Sequence, residues 1–209
     1  MTVGVNPWAI ALTAYAATAT ISLLPTIKAV FKKIQLAEAA FGFQECASFS
    51  EENRDRLQQH YSRLQGTLVF WKNTAAKYGR FHYYCVFWTI LGGINVPILA
   101  QAITDDPYSK WLLTIVSGHL AILYVSHRTF KAEQNFKAFR LGESRYYDLR
   151  RTLLDSPERL GGTEEEQIQK YFDETALLRE EMRIREVDGI ASFEDLKSSL
   201  QSSSKSGKI

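Results

Sequence analysis

Apolar residues are concentrated in three blocks of the chain, and charged residues fill the segments between them. The middle block, residues 81–103, has no Asp, Glu, Lys or Arg in 23 positions. As a helix it would be roughly 35 Å long, enough to cross a hydrocarbon core of about 30 Å. The third block, residues 111–126, is shorter and needs flanking Tyr108, Lys110 and His127 to reach the interface. The pattern predicts two membrane spans joined by the short turn TDDPYSK.

Basic residues are distributed unequally between the two ends of this predicted hairpin. The turn contains Lys110, whereas the open end is flanked by seven basic residues: Lys72, Lys77, Arg80, Arg128, Lys131, Lys137 and Arg140. An excess of Lys and Arg marks the cytoplasmic flanks of membrane helices. We therefore expect a multi-pass protein of the cell membrane whose main helical domain is cytoplasmic.

The first block, residues 1–27, is uncharged but is rich in Ala and Thr rather than Leu. Asn6 and Pro7 are residue types that begin a helix, and Pro25 is expected to kink or end it. Small residues recur at helical spacing on two faces that would allow close helix packing: Ala9, Thr13, Ala16 and Thr20 on one, and Ala14, Thr18 and Ser22 on the other. Two interpretations of residues 1–30 stay open. They form either a third span, with Lys28, Lys32 and Lys33 on its cytoplasmic side, or a buried or interfacial helix.

The charged segments also have helical periodicity. Residues 31–80 are predicted to be helical, with a break near residues 46–50 where Ser48 or Ser50 would cap the next helix. That helix has one apolar stripe, which consists of Leu57, Tyr61, Leu64, Leu68 and Trp71, and it is expected to run into the first span. After the second span the helical pattern continues without a breaker from Arg128 to about Leu154.

A last helix is predicted within residues 127–190. Thr163 and Glu166 form a capping box at its start, and Glu181 with Arg185 is an i,i+4 ion pair. Residues 191–209 are polar and of low complexity, which predicts disorder. Together these segments predict an all-α fold in which a membrane hairpin of two or three helices, centred on residues 81–126, extends into a cytoplasmic helical bundle.

Composition and motifs give little support to an enzyme or a cofactor protein. Cys46 and Cys85 are far apart in sequence, with no CxxC motif and no histidine pair at ligand spacing. None of the common nucleotide-binding, hydrolase or metalloprotease motifs occurs. The net charge of +2 without a basic cluster argues against a nucleic-acid partner. We expect no catalytic site, no cofactor and no metal.

Polar residues inside the predicted spans are the best candidates for a functional site. An unpaired polar group in hydrocarbon costs free energy, so such groups usually face a neighbouring helix or water. Asn95 and His119 would lie at comparable depth in an antiparallel hairpin, where a hydrogen bond between them is possible, and Gln101 lies further out. Thr13 and Thr20 add hydroxyl groups if the first block is embedded. Either these residues join helices or subunits, or they line a water-filled path.

The segment after the second span resembles the SLATT group, the SMODS- and SLOG-associating two-transmembrane effector domains of prokaryotic conflict systems. That group tends to have an aromatic residue, two further positions, an aromatic-Arg pair and then an acidic residue. Phe136, Phe139, Arg140 and Glu143 match this pattern, with Phe where Trp and Tyr are more usual. The resemblance covers roughly residues 55–155, and the uncharged N-terminal block departs from it.

The resemblance implies a membrane effector that forms a pore under the control of a cytoplasmic sensor protein or a small ligand. A hairpin of two spans cannot enclose a conduit alone, so a pore requires a homo-oligomer within the membrane lipid. The alternative is a membrane-anchored structural or adaptor protein that conducts nothing.

Overall fold

The computed structural model describes residues 6–31, 43–46 and 48–188. Their elements are α1 (Pro7–Phe31), a 3₁₀ turn (Phe43–Glu45), α2 (Glu51–Ala102), α3 (Pro107–Thr129), α4 (Ala132–Asp155), a second 3₁₀ turn (Pro157–Arg159) and α5 (Glu164–Asp188). In this part of the chain there is no strand. The predicted all-α fold is confirmed.

Helix α2 joins the charged and apolar parts of the chain without a break. Its 52 residues include the predicted stripe from Leu57 to Trp71 and nearly all of the apolar run up to Ala102. Pro97 lies inside the helix, where its missing amide leaves the Gly93 carbonyl without the usual helical donor. The prediction that the first span continues the preceding helix is therefore confirmed.

The chain divides into two compact units, and α2 contributes to both. The membrane unit comprises α1, α3 and the part of α2 from residue 77 onward. The polar unit comprises the earlier part of α2 together with α4 and α5. Within the described residues, the three helices that are long and apolar enough to cross a membrane are α1, α2 and α3.

In the membrane unit, α1 and α3 begin at the same level. Asn6 caps α1, since its Oδ1 accepts the Trp8 amide at 2.9 Å, and Asp106 caps α3 by accepting the Tyr108 amide at 2.8 Å. The Asn6 amide also donates to the Asp106 carboxylate. The two helices are therefore parallel, and the span of α2, which leads into the turn before α3, runs antiparallel to both.

The buried centre of the membrane unit consists of Tyr84, Cys85, Trp88 and Leu123. Tyr15, Ala19 and Leu23 of α1 pack against it, together with Phe81 and Leu120. Gly92 allows a close approach of α2 and α3, because a Cβ atom there would overlap the Leu120 side chain. Helix α1 thus completes a three-helix bundle, which supports a third span over an isolated interfacial helix.

Pro25 does not end α1, because the helix passes through it and ends at Phe31; the Pro25 carbonyl accepts a hydrogen bond from the Arg80 guanidinium at 3.1 Å. The prediction of a continuous helix from Arg128 to about Leu154 is wrong, because α3 ends at Thr129 and α4 begins at Ala132. Between them Lys131 has a positive φ of 44°, a left-handed conformation that an α-helix cannot contain.

The polar unit is built from apolar stripes on its three helices. The stripe of α2 is buried as predicted, and α4 and α5 supply further buried apolar residues, which are Phe139, Tyr146, Leu153, Ile168, Tyr171, Leu178 and Met182. The predicted capping box of α5 is confirmed, since the Glu166 amide donates to Thr163 Oγ1 and the Thr163 amide to Glu166 Oε2.

The break before α2 is confirmed, but the predicted cap is wrong. Ser50 precedes the helix, and its hydroxyl donates to Glu164 Oε1 at 2.9 Å rather than accepting an amide of α2. Predictions for Lys32, Lys33 and the tail at 191–209 lie outside the described residues.

Candidate intramembrane polar site

His119 joins the three helices of the membrane unit. Its Nδ1 lies 2.7 Å from the Tyr15 hydroxyl of α1, and its Nε2 lies 3.2 Å from the Tyr84 hydroxyl of α2. The imidazole is also 5.5 Å from the Trp88 ring, measured between centroids. Aromatic side chains of α1 and α2 therefore surround one histidine of α3.

These contacts have one consistent pattern of donors for a neutral imidazole. The Tyr84 hydroxyl reaches the Ala19 carbonyl at 3.4 Å, and a carbonyl can only accept. Tyr84 then accepts a hydrogen bond from Nε2–H of His119, and Nδ1 accepts the Tyr15 hydroxyl proton. Each donor in this series of hydrogen bonds, which runs from Tyr15 through His119 and Tyr84 to the Ala19 carbonyl, has an acceptor. The network therefore binds the three helices together.

A second polar contact lies one helical turn away. Trp88 Nε1 donates to Ser22 Oγ at 3.0 Å, and Ser22 in turn donates to the Ala19 carbonyl at 3.0 Å. The network on His119 and this contact meet at the same carbonyl. These interior polar groups of α1, α2 and α3 are thus satisfied within the chain, as hydrocarbon surroundings require.

Asn95 is not part of this network, so the hydrogen bond to His119 that a shared depth made possible is not formed. The Asn95 amide donates to the Leu91 carbonyl of its own helix at 2.6 Å. Its carbonyl oxygen has no hydrogen-bond partner among the described residues. The physical reason is that His119 finds a partner on α1, a helix that the two-span hairpin did not include.

Asn95 borders a cleft of about 400 Å³ between α1, α2 and α3. The lining is mostly apolar, and small residues of α1 and α2 form much of it: Ala11, Ala14, Thr18 and Gly92. Because small side chains leave room above the backbone, another helix can approach closely here. The single chain therefore leaves this cleft open beside the Asn95 side chain, whose carbonyl oxygen has no hydrogen bond.

The remaining predicted membrane residues lie on the surface of the unit. Thr13 and Thr20 donate to the carbonyls four residues earlier, at 2.9 and 2.8 Å, and both hydrogen bonds are exposed. Gln101 is exposed in the last turn of α2. The structure brings none of these three to His119, so the small face of α1 that contains Thr13 and Thr20 is not used for packing inside the chain.

One contact was missed from the sequence. His82 of α2 and His127 of α3 face each other at the open end of the hairpin, with Nδ1 of the first 2.8 Å from Nε2 of the second. Both histidines lie at the open-end boundaries of the two predicted spans. This shared level in the hairpin is the sequence feature that could have predicted their contact.

The residues that match the family pattern lie on α4 in the polar unit. Phe139 is buried, and its ring contacts Phe70 edge to face at 5.9 Å between centroids. Arg140 Nη1 forms an ion pair with Glu143 Oε2 at 2.9 Å, in which Glu143 is largely buried and Arg140 is exposed. Phe136 is partly buried on the same helix. Packing explains the positions of Phe139 and Glu143.

The described part of the chain has no group of three His, Cys, Asp or Glu residues placed to hold a metal ion. Cys46 and Cys85 are free thiols. Fold and site define a helical membrane protein with a three-helix membrane unit and a separate polar helical unit. Comparisons with protein-family models, with curated proteins and with solved structures find no match for this chain.

Proposed function

We propose that the chain is one subunit of a homo-oligomeric membrane pore or ion channel. The observation that carries the proposal is the Asn95 side chain, which lies in the apolar run of α2 with an unsatisfied carbonyl oxygen. Burying such a group in hydrocarbon without a partner costs roughly 2–7 kcal/mol. Water in a conduit between copies of the chain would remove this cost.

The cleft beside Asn95 supports assembly through α1 and α2. Its small residues allow a helix of a second copy to approach, and the exposed small face of α1 offers a further contact. Three spans are too few to surround a water-filled path, so several copies would be arranged about an axis. Asn95 would then face that axis.

The orientation follows from the basic residues that flank the spans. Lys28, Lys77, Arg80 and Arg128 all belong to the open end of the hairpin and the nearby end of α1, whereas Lys110 lies at the opposite end, in the first turn of α3. The positive-inside rule assigns the open end and the polar unit to the cytoplasm and the turn to the outside of the cell membrane. The parallel packing of α1 and α3 agrees with an external N-terminal end of α1.

The resemblance of Phe136, Phe139, Arg140 and Glu143 to the SLATT pattern supports a role as a membrane effector in a conflict or signalling system. In this role a sensor protein or a small ligand would act on the cytoplasmic helices.

The adaptor function is the second candidate, and a specific observation favours it. The interior polar groups on His119, Tyr84 and Trp88 are satisfied within the bundle, which is what a dry membrane anchor needs. In this case Asn95 would pair with another protein in the membrane, and no conduit would exist.

Ion flux from proteoliposomes separates the two candidates. Purified oligomer should release a trapped ion, and Asn95→Leu should reduce the flux strongly without changing the oligomer mass. Ile94→Leu is the matched control, because Ile94 is a neighbouring exposed apolar residue, and its flux should equal that of the natural protein. Absence of flux from correctly inserted oligomer, or full flux from Asn95→Leu, contradicts the pore.

A further inference from the structure

A positively charged groove lies between α2 and α5 in the polar unit. Its volume is about 290 Å³, and it is lined by Gly66, Thr67, Phe70, Trp71, Arg179, Arg183 and Glu186. A Cβ atom added at Gly66 would meet no described heavy atom within 4 Å, so the groove is open above this glycine.

Contacts at the start of α2 and α5 hold the two helices in a parallel register. The Ser50 amide donates to Glu164 Oε1 at 2.7 Å, and Arg56 pairs with Glu165 at 3.0 Å. Further along both helices, the His60 ring packs on Phe172 with 4.4 Å between centroids. This register brings the later turns of α5, which carry Arg179 and Arg183, beside the groove residues of α2.

The two arginines that line this groove, Arg179 and Arg183, form no ion pair with a described residue. Four other arginines of the polar unit do pair with a carboxylate within 4 Å, namely Arg56, Arg140, Arg145 and Arg185. Among the described residues, Arg63, Arg179 and Arg183 have no carboxylate within that distance, although Glu186 also lines the groove. The groove region therefore has an excess of positive charge.

Two guanidinium groups near the groove also act on His60 of α2. Burial lowers the pKa of His60 to about 4, and the nearby Arg63 and Arg179 guanidinium groups act in the same direction. Protonation of His60 is therefore disfavoured chiefly by burial, and the positive charge of the two arginines adds to this effect.

We propose that the groove binds a phosphate-bearing anion. Arg179 and Arg183 lie one helical turn apart and would pair with the phosphate oxygens, a geometry that suits guanidinium groups. The Thr67 hydroxyl, which has no partner among the described residues, would donate a hydrogen bond. The exposed Phe70 ring forms an apolar wall for the rest of the ligand.

The phosphate group can come from a soluble ester or from the headgroup of an anionic lipid. Both present the same oxygens to the arginines, so the groove alone defines the shared chemistry. This inference concerns binding by the polar unit and does not depend on conduction by the membrane unit.

Calorimetry with sodium pyrophosphate tests the soluble source, using full-length protein in an uncharged detergent at constant ionic strength. Arg179→Gln and Arg183→Gln should each weaken binding about ten-fold or more, because each removes a charge-assisted contact. Arg151→Gln is the matched control, since Arg151 is an exposed arginine of α4 outside the groove. Its affinity should equal that of the natural protein.

Gly66→Trp adds an independent test, because it fills the groove and leaves every charge in place. It should also abolish binding. The lipid source is tested by the thermal shift on moving from nanodiscs of phosphatidylcholine to nanodiscs that also contain phosphatidic acid. A shift in the second arm alone, lost in Arg179→Gln and kept in Arg151→Gln, assigns the site to a lipid headgroup.

Two results overturn the proposal. One is the absence of binding in both arms by natural protein with a native helical spectrum. The other is an equal loss of affinity in Arg151→Gln and Arg179→Gln, which would mean that only net charge matters. If Gly66→Trp does not fold, the arginine variants decide the outcome.

Discussion

The adjacent glycines of α2 should respond in opposite ways to the same substitution. A Cβ at Gly92 would lie 2.8 Å from Leu120 Cγ and closer still to its methyl groups, whereas no described heavy atom lies within 4 Å of a Cβ at Gly93. Overpacking of this kind costs typically about 1–3 kcal/mol. The gain in helix propensity from Gly to Ala, about 1 kcal/mol, applies at both positions and cancels in the comparison. We expect Gly92→Ala to be about 1–3 kcal/mol less stable than Gly93→Ala.

Reversible unfolding in mixed micelles, followed by tryptophan fluorescence, measures this difference. Trp88 is buried one turn before Gly92 and reports on the affected contact. Equal stability of the two variants, or a less stable Gly93→Ala, would refute the packing of α2 against α3 described above. Gly93→Leu extends the test to assembly: if the oligomer dissociates while the subunit stays folded, Gly93 faces another copy.

Three further predictions concern named hydrogen bonds and charges. Tyr15→Phe removes the donor to His119 and should lower stability in micelles by about 1 kcal/mol; an unchanged value would remove the network as a stabilising element. His60 has a folded pKa of about 4 against a usual 6.5, so the unfolded chain binds the proton first and stability should fall as the pH drops from 6.5 to 4. The loss should be about 1–2 kcal/mol, discounted for partial exposure, and His60→Gln should abolish it in urea unfolding. Hydrogen bonds from Asn53 first, and then from Ser50, lower the pKa of Glu164. The stabilisation from the ionised Glu164 carboxylate is therefore present above about pH 4.5 and lost at lower pH. In Glu164→Gln the free energy of unfolding should depend less on pH below about 4.5, and its pH dependence above about 4.5 should be unchanged.

The sequence predicted the helices well where one physical signal acts over a long stretch. The apolar run of α2 has the length of a bilayer, and the stripe from Leu57 to Trp71 has the period of a helix, so both features appear in the structure. The cap at Thr163 and Glu166 was predictable for a related reason, because its chemistry is local.

Features that depend on distant residues could not be predicted in this way. Tyr15 and His119 are 104 positions apart, and their contact requires α1 to pack beside α3. Without that helix, depth in the membrane pointed to Asn95 as the partner of His119. The break at Lys131 also lacked a signal, since neither Gly nor Pro occurs there and the left-handed residue is a lysine.

Water accessibility at position 95 tests the central claim most directly. Asn95→Cys would be made in a chain whose two natural cysteines are replaced by Cys46→Ser and Cys85→Ala, and intact membranes would be treated with a charged thiol reagent. Ile122→Cys is the control, because Ile122 is 66% exposed on α3 and lies outside the buried core. A conduit shared by several copies predicts that position 95 reacts and position 122 does not. Equal lack of reaction at both positions would contradict the pore.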